Sequence, residues 1–176
     1  MKRLAPQIPE TLSAESKHLY DLLNQGADVA VIVVAVSYVD ASLSSLLAKY
    51  LLKSSVTDKL LDSRSGALGS FVARSDLAYA LALIDKSMYQ DLLVLAELRN
   101  ETAHHHFELS FSSPSVVSHC GKLAYAANLK DAGSGGPLFE EVWLVQPRGR
   151  FTLTATMIVS RLLLTALGTG HVERQA

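Results

Sequence analysis

One apolar segment, residues 29–51, constrains the fold more than any other part of the chain. Its first eight residues are apolar on every side, and its second half carries Leu43, Leu47 and Tyr50 at helical spacing. The β-branched residues at its start also fit a buried strand, but the continuing 3.6-residue period favours a helix. The segment therefore predicts a long central helix, buried at its start and half exposed at its end, which the other segments must cover.

Further apolar patterns with a helical period flank this segment on both sides and are separated by turn residues. They predict helices over about residues 11–24, 70–84, 88–105, 114–124 and 152–167. With 176 residues, of which 49% are hydrophobic, the chain is long enough for one domain with a sizeable core. We therefore expect an all-α fold, a single-domain helical bundle of about six or seven helices over residues 1–176.

Four parts of the chain lack a helical pattern. We expect flexible ends at about residues 1–10 and 169–176, and a flexible loop rich in Gly and Ser at about 131–137. For residues 139–145 we expect a short strand or an extended segment that buries Trp143.

Composition argues against a protein that holds nucleic acid by overall charge. The formal net charge is -1 and the pI is about 6.6, so there is no global basic excess. Arg148 and Arg150 form the only tight basic pair outside the N-terminus, and we take them as candidate interaction residues.

The sequence predicts a cytoplasmic protein that does not contact a membrane. The most apolar run, residues 29–36, is far shorter than the ~20 residues of a membrane span, and Pro6 and Pro9 interrupt any signal-peptide pattern. A single cysteine, Cys120, excludes an intramolecular disulfide and fits a reducing compartment. No cofactor fingerprint is present, and we expect no cofactor.

A polar hexapeptide, residues 99–104, follows a strongly apolar helical stripe. Arg99 continues the stripe that contains Leu92 and Leu95, and Asn100 continues the neighbouring one. Polar groups directed at a core or an interface cost free energy unless they are partnered. We therefore expect Arg99 and Asn100 to face a core or an interface and to be satisfied there.

Helix geometry limits how the hexapeptide can work. Arg99 and His104 are five residues apart, which separates their directions by roughly 140° on a straight helix. The pair could come together through a helix irregularity after Asn100 or through two copies of the helix across a two-fold axis, and the second option predicts a homodimer. In the structural alternative, Arg99 pairs with Glu97, Glu101 or Asp76 and only fixes the fold or the dimer register.

The hexapeptide resembles the R-x4-6-H motif of the HEPN superfamily. The resemblance implies a helical dimer that cleaves RNA without a metal ion. Arg99 would stabilise the pentacoordinate phosphate, His104 would act as acid or base, and Asn100 would orient them. The adjacent His105 and His106 suggest no metal site, because neighbouring helical side chains diverge by ~100°.

A second resemblance covers about residues 25–130 and is to the mannitol operon repressor family. It rests on residues 66–71, Arg74, residues 77–81, Ile84, Tyr89, Leu92, residues 98–100, Phe111, Pro114 and Cys120. It implies an all-helical cytoplasmic bacterial protein associated with transcriptional repression, and it marks Arg74 as a third candidate interaction residue. No helix-turn-helix is readable, so repression through a protein partner is as credible as direct binding to DNA or RNA.

The sequence is compatible with three functions. The favoured one is a transcriptional regulator or co-repressor that acts through a protein or nucleic-acid partner, without catalysis. The second is a metal-independent endoribonuclease that uses Arg99, Asn100 and His104. The third is a structural interaction module with a polar dimer interface.

Overall fold

The computed structural model describes residues 10–104 and 109–169, and the ends expected to be flexible lie almost entirely outside these ranges. The predicted all-α fold is confirmed, with nine helical segments in the described residues. They are α1 (Glu10–Gln25), α2 (Asp28–Tyr50), α3 (Ser55–Leu61), α4 (Phe71–Ala80), α5 (Lys86–His104), α6 (Pro114–Lys122), α7 (Tyr125–Asn128), α8 (Glu141–Val145) and α9 (Pro147–Gly168).

The long helices α2 and α9 pack on each other and form the centre of the fold. Helix α1 covers both of them, α4 and α5 cover the other side of α2, and α6 and α7 connect α5 to α9. Each central helix is long and apolar enough to cross a membrane by length and composition alone. About half of each apolar stretch, 44% in α2 and 56% in α9, is buried inside the protein, as in core helices.

Arg148 holds four parts of the chain together near the start of α9. Its Nη1 donates to Asp28 Oδ1 at 2.9 Å, and its Nη2 donates to the carbonyl oxygens of Leu23 and Gly26 at 3.0 and 2.6 Å. The other oxygen of Asp28 accepts the Phe111 N–H at 2.9 Å. This arrangement satisfies carbonyl groups at the end of α1 and fixes α1, α2, α9 and the segment before α6.

Asp91 performs a similar role between α5 and the α6–α7 connection. Its carboxylate accepts the N–H of Ala124 at 3.0 Å and of Tyr125 at 2.8 Å, and the residue is only 1% exposed. Burial raises the pKa of Asp91, whereas the two backbone N–H donors and the charge of Arg150 oppose that rise.

Short segments account for the differences from the expected architecture. Helices α3, α7 and α8 have seven residues or fewer, too few to produce a readable helical period. Helix α4 ends at Ala80 rather than near residue 84, because Ala82 adopts a left-handed conformation with φ of 54°. The expectation for residues 139–145 is wrong, since α8 is helical and Trp143 is 53% exposed.

Replacing Asp91 with Ala is expected to lower the free energy of unfolding by about 2–4 kcal/mol, because two buried N–H groups lose their acceptor. The folded chain holds the Asp91 proton to a higher pH than the unfolded chain does, so this stabilisation is fully present below the unfolded-state pKa of about 4 and decreases as the pH rises through the raised pKa of the folded state. Urea unfolding at several pH values measures both effects. The exposed Asp21→Ala in α1 is the control and should change stability by less than about 0.5 kcal/mol.

Cys120 is expected to resist alkylation in the folded protein. It is fully buried, and burial raises the pKa of its thiol to about 12, so little nucleophilic thiolate is present near pH 8. Iodoacetamide should add one adduct in denaturant and almost none in native buffer, as measured by mass spectrometry. Equal rates in the two conditions would show that this part of the core opens readily.

Candidate functional site

Three of the predicted site residues meet in one cleft between α2, α4 and α5. The cleft, called here the Arg99 cleft, has a volume of about 340 Å³. Its polar lining consists of Asp40, Ser63, Ser70, Arg74, Arg99 and Asn100. Arg74, Arg99 and Asn100 all belong to the residues that carry the family resemblance, and Arg99 and Asn100 also begin the hexapeptide.

An ion pair between Arg74 and Asp40 forms the base of the cleft. Arg74 Nε donates to Asp40 Oδ1 at 2.9 Å, and Nη2 donates to both carboxylate oxygens at 2.6 and 2.9 Å. Nη1 donates to the Leu68 carbonyl oxygen at 2.7 Å, and Arg74 is only 5% exposed. Arg74 is therefore a fixed structural cation that joins α4 to α2.

The glycine-containing loop before α4 prepares this ion pair. The Leu68 N–H donates to the Leu60 carbonyl oxygen at 2.9 Å, which orients Leu68 toward Arg74. A Cβ at Gly66 would overlap the same Leu60 carbonyl oxygen, so only glycine permits this close approach. Asp62 closes the loop by accepting from Ser65, and these hydrogen bonds lower the pKa of Asp62.

Arg99 and Asn100 do not enter the core of the chain, so of the two expected places only an interface stays a prediction. The buried face of α5 continues from Leu95 to Leu98 and Thr102, whereas Arg99 and Asn100 are exposed. Positions three and four residues beyond Leu95 both fit a helical stripe. In the structure, the buried one is Leu98, three residues beyond, and not Arg99, four residues beyond. Arg99 and Asn100 consequently face the cleft and solvent.

The carboxylates proposed to neutralise Arg99 lie beside other groups, although Glu101 Oε2 is buried there without a hydrogen bond. Glu97 and Glu101 lie 3.2 and 3.5 Å from the ring nitrogens of His119 on α6, and Asp76 accepts the Tyr89 hydroxyl at 2.8 Å. No ion pair joins Arg99 to any residue in the described ranges. Its charge is therefore not compensated by the groups that the sequence suggested.

His104 leaves the nuclease hypothesis untested. The backbone of His104 is the last residue of α5, but its side chain lies outside the described part of the chain. His105 and His106 lie entirely outside it. The pairing of Arg99 with His104 stays a prediction.

Arg148 and Arg150 are both used within the fold. Besides the contacts of Arg148, Arg150 Nη1 donates to the Gly121 carbonyl oxygen at the end of α6, at 2.9 Å. Their part in binding DNA or a partner stays a prediction, but both terminal nitrogens of Arg148 and one of Arg150 already donate to acceptors in the protein.

A second candidate surface was missed because a tryptophan in an apolar segment was expected to be buried. It is called here the Trp143 surface. It consists of Leu138, Val142, Trp143 and Val145, which are 40%, 57%, 53% and 71% exposed. The four residues are irregularly spaced within eight positions, and this pattern in the sequence could have indicated that they are exposed.

Among the described helices, the Trp143 surface is held mainly against α9. Helix α8 packs on α9, and a Cβ at Gly149 would overlap the Trp143 carbonyl oxygen, so glycine allows the two to approach. Beside Trp143 lies a mainly apolar depression of about 250 Å³, lined by Phe139, Leu153 and Met157. Two exposed acids, Glu140 and Glu141, border the surface.

Comparison with known proteins identifies the family. The profile of the family described as mannitol repressor (MtlR) matches residues 15–168. The chain belongs to the mannitol repressor family. This confirms the predicted membership and, with it, the class of transcriptional regulator.

Two curated relatives and one solved structure support this assignment. The mannitol operon repressors of Escherichia coli strains K12 and O6:H1 are each 26% identical over 158 residues, which cover 86% of this chain and 80% of theirs. The X-ray structure of the MtlR–HPr complex from Escherichia coli superposes with a TM-score of 0.65 at 23% identity. That match covers 85% of this chain and 98% of the other and shows the same fold.

Replacing Arg74 with Met is expected to cost about 3 kcal/mol of stability, because the Asp40 carboxylate loses its cation in a largely buried position. The double variant that also carries Asp40→Leu should recover most of the loss, since no unpaired charge remains. Urea unfolding measures all three proteins, and the exposed Arg64→Met is the control. Equal stability of Arg74→Met and wild type would show that the pair is not structural.

Proposed function

We propose that this protein is a cytoplasmic transcriptional regulator that acts by binding a protein partner of the HPr type through the Trp143 surface. The observation that carries the proposal is the match to the mannitol repressor family over residues 15–168. A solved structure with the same fold is a complex of the Escherichia coli MtlR with HPr. The HPr of the same organism is therefore the first partner to test.

The exposed apolar side chains of the Trp143 surface support docking of a protein. Four large apolar side chains within eight residues form a concentrated patch, and such patches commonly mark interaction sites. Tryptophan is enriched among the residues that dominate binding energy, especially where it enters a pocket on the partner. Trp143, at 53% exposure, is suited to that role.

The charges around the patch specify the chemistry of the partner. Glu140 and Glu141 are exposed beside Trp143, and the described part of α8 carries no cation. A complementary partner presents an apolar centre bordered by Lys or Arg side chains. We expect binding to weaken as salt rises, because exposed charge pairs at an interface are screened.

The internal hydrogen bonds of three arginines favour binding of a protein partner over direct binding of DNA. Arg74, Arg148 and Arg150 all donate to groups of the protein itself, so few of the predicted cations remain for phosphates. Binding of DNA or RNA and formation of a homodimer stay predictions.

The partner proposal is tested by titrating the protein with purified HPr from the same organism. Trp143 is the only tryptophan in the chain, so its fluorescence should shift to shorter wavelength when the partner covers it, provided the HPr lacks tryptophan. Calorimetry gives the affinity independently. Val145→Asp should weaken binding at least tenfold, about 1.4 kcal/mol, because it places a charge in the apolar contact.

Val56→Asp is the matched control, since Val56 is 65% exposed but lies on α3, away from the Trp143 surface. It should bind HPr like wild type. Absence of any HPr binding would refute the partner, whereas binding that Val145→Asp leaves unchanged would refute the surface.

A further inference from the structure

We propose that the Arg99 cleft binds a small molecule that carries a phosphate group. The cleft lies on the α4 and α5 side of the fold, whereas the Trp143 surface lies on α8 against α9. The proposal is therefore independent of the protein partner. It adds a small-molecule site to a protein whose family is known for transcriptional repression.

Hydrogen-bond donors face the cleft from two sides. Arg99 and the Asn100 amide are on α5, and the hydroxyl groups of Ser63 and Ser70 are on the loop before α4. Ser70 Oγ accepts the Ala73 N–H at 3.1 Å, which leaves its hydroxyl proton to donate. A tetrahedral oxyanion can accept from donors in several directions, whereas a planar carboxylate fits a single arginine fork better.

One cation and one neutralised acid set the charge of the cleft. Among the described residues, Asp40 is the only acid in the polar lining, and both of its oxygens accept from Arg74. That pair is neutral as a unit. Arg99 then remains as a cation that forms no ion pair with any described carboxylate.

The size of the cleft indicates more than a bare ion. Its volume of about 340 Å³ lies in the range of small-molecule sites, which begins at about 300 Å³. Phe71, Val72 and Ala96 add apolar lining beside the polar groups. This combination suits a phosphorylated metabolite, whose phosphate meets Arg99 and whose carbon skeleton lies on the apolar side.

Thermal unfolding in the presence of inorganic phosphate tests the proposal, with sodium chloride and sodium acetate at equal ionic strength as references. Phosphate at about ten times its dissociation constant should raise the melting temperature by about 3–5 °C. Chloride and acetate should give less than a third of that shift. Calorimetry with phosphate should show one site per chain.

Arg99→Gln should abolish the phosphate shift, and Asn100→Ala should reduce it, while neither changes the melting temperature without phosphate, because both side chains are exposed. Arg64→Gln makes the same change in net charge from an exposed position that does not line the cleft, and it should keep the full shift. Equal losses in Arg99→Gln and Arg64→Gln would overturn the site, as would an equal shift with acetate.

The two proposals fail separately. Arg99→Gln should bind HPr like wild type, and Val145→Asp should keep the phosphate shift. If phosphate has no effect on any variant while RNA protects Arg99 from modification by a dicarbonyl reagent, the small-molecule site is refuted and the RNA alternative is supported.

Discussion

The two carboxylates of α2 fix the arrangement on which the rest of the structure depends. Helix α2 is largely apolar, and apolar packing alone permits several alignments with its neighbours. Asp28 at its start binds Arg148 of α9, and Asp40 near its middle binds Arg74 of α4. Each pair leaves donors that also bind backbone carbonyl groups, so a shift of α2 would break several polar contacts at once.

This role explains why the candidate arginines of the sequence divide into two kinds. Arg74 and Arg148 are chemically attractive as binding residues, but their guanidinium groups already have acceptors within the fold. Arg99 differs because it is exposed and faces a cleft. Sequence spacing cannot separate these cases, since acceptors such as Leu68 O and Gly26 O become available only through loop geometry.

Periodicity predicted the long helices, but it could not place the functional side chains. The pattern through α2 and α9 is long, so packing and propensity agree there. At the end of α5, steps of three and four residues are equally helical, and the choice of Leu98 over Arg99 for the core depends on neighbouring helices. The sequence misplaced Trp143 because α8 is five residues long and packs mainly on α9 among the described helices. Ala82 gave no signal because its left-handed turn lacks glycine.

The hexapeptide and the loop before α4 that contains Gly66 and Gly69 lie beside the same cleft in the structure. Gly66 allows the loop to fold back on α3, the loop presents Leu68 to Arg74, and Arg74 holds Asp40 at the base of the cleft that Arg99 borders. Arg74 neutralises Asp40, the one acid among the described residues that line the site, which leaves Arg99 as a net cation. Stability and recognition therefore depend on different arginines: removing Arg74 disturbs the fold, whereas removing Arg99 changes only what the cleft can bind.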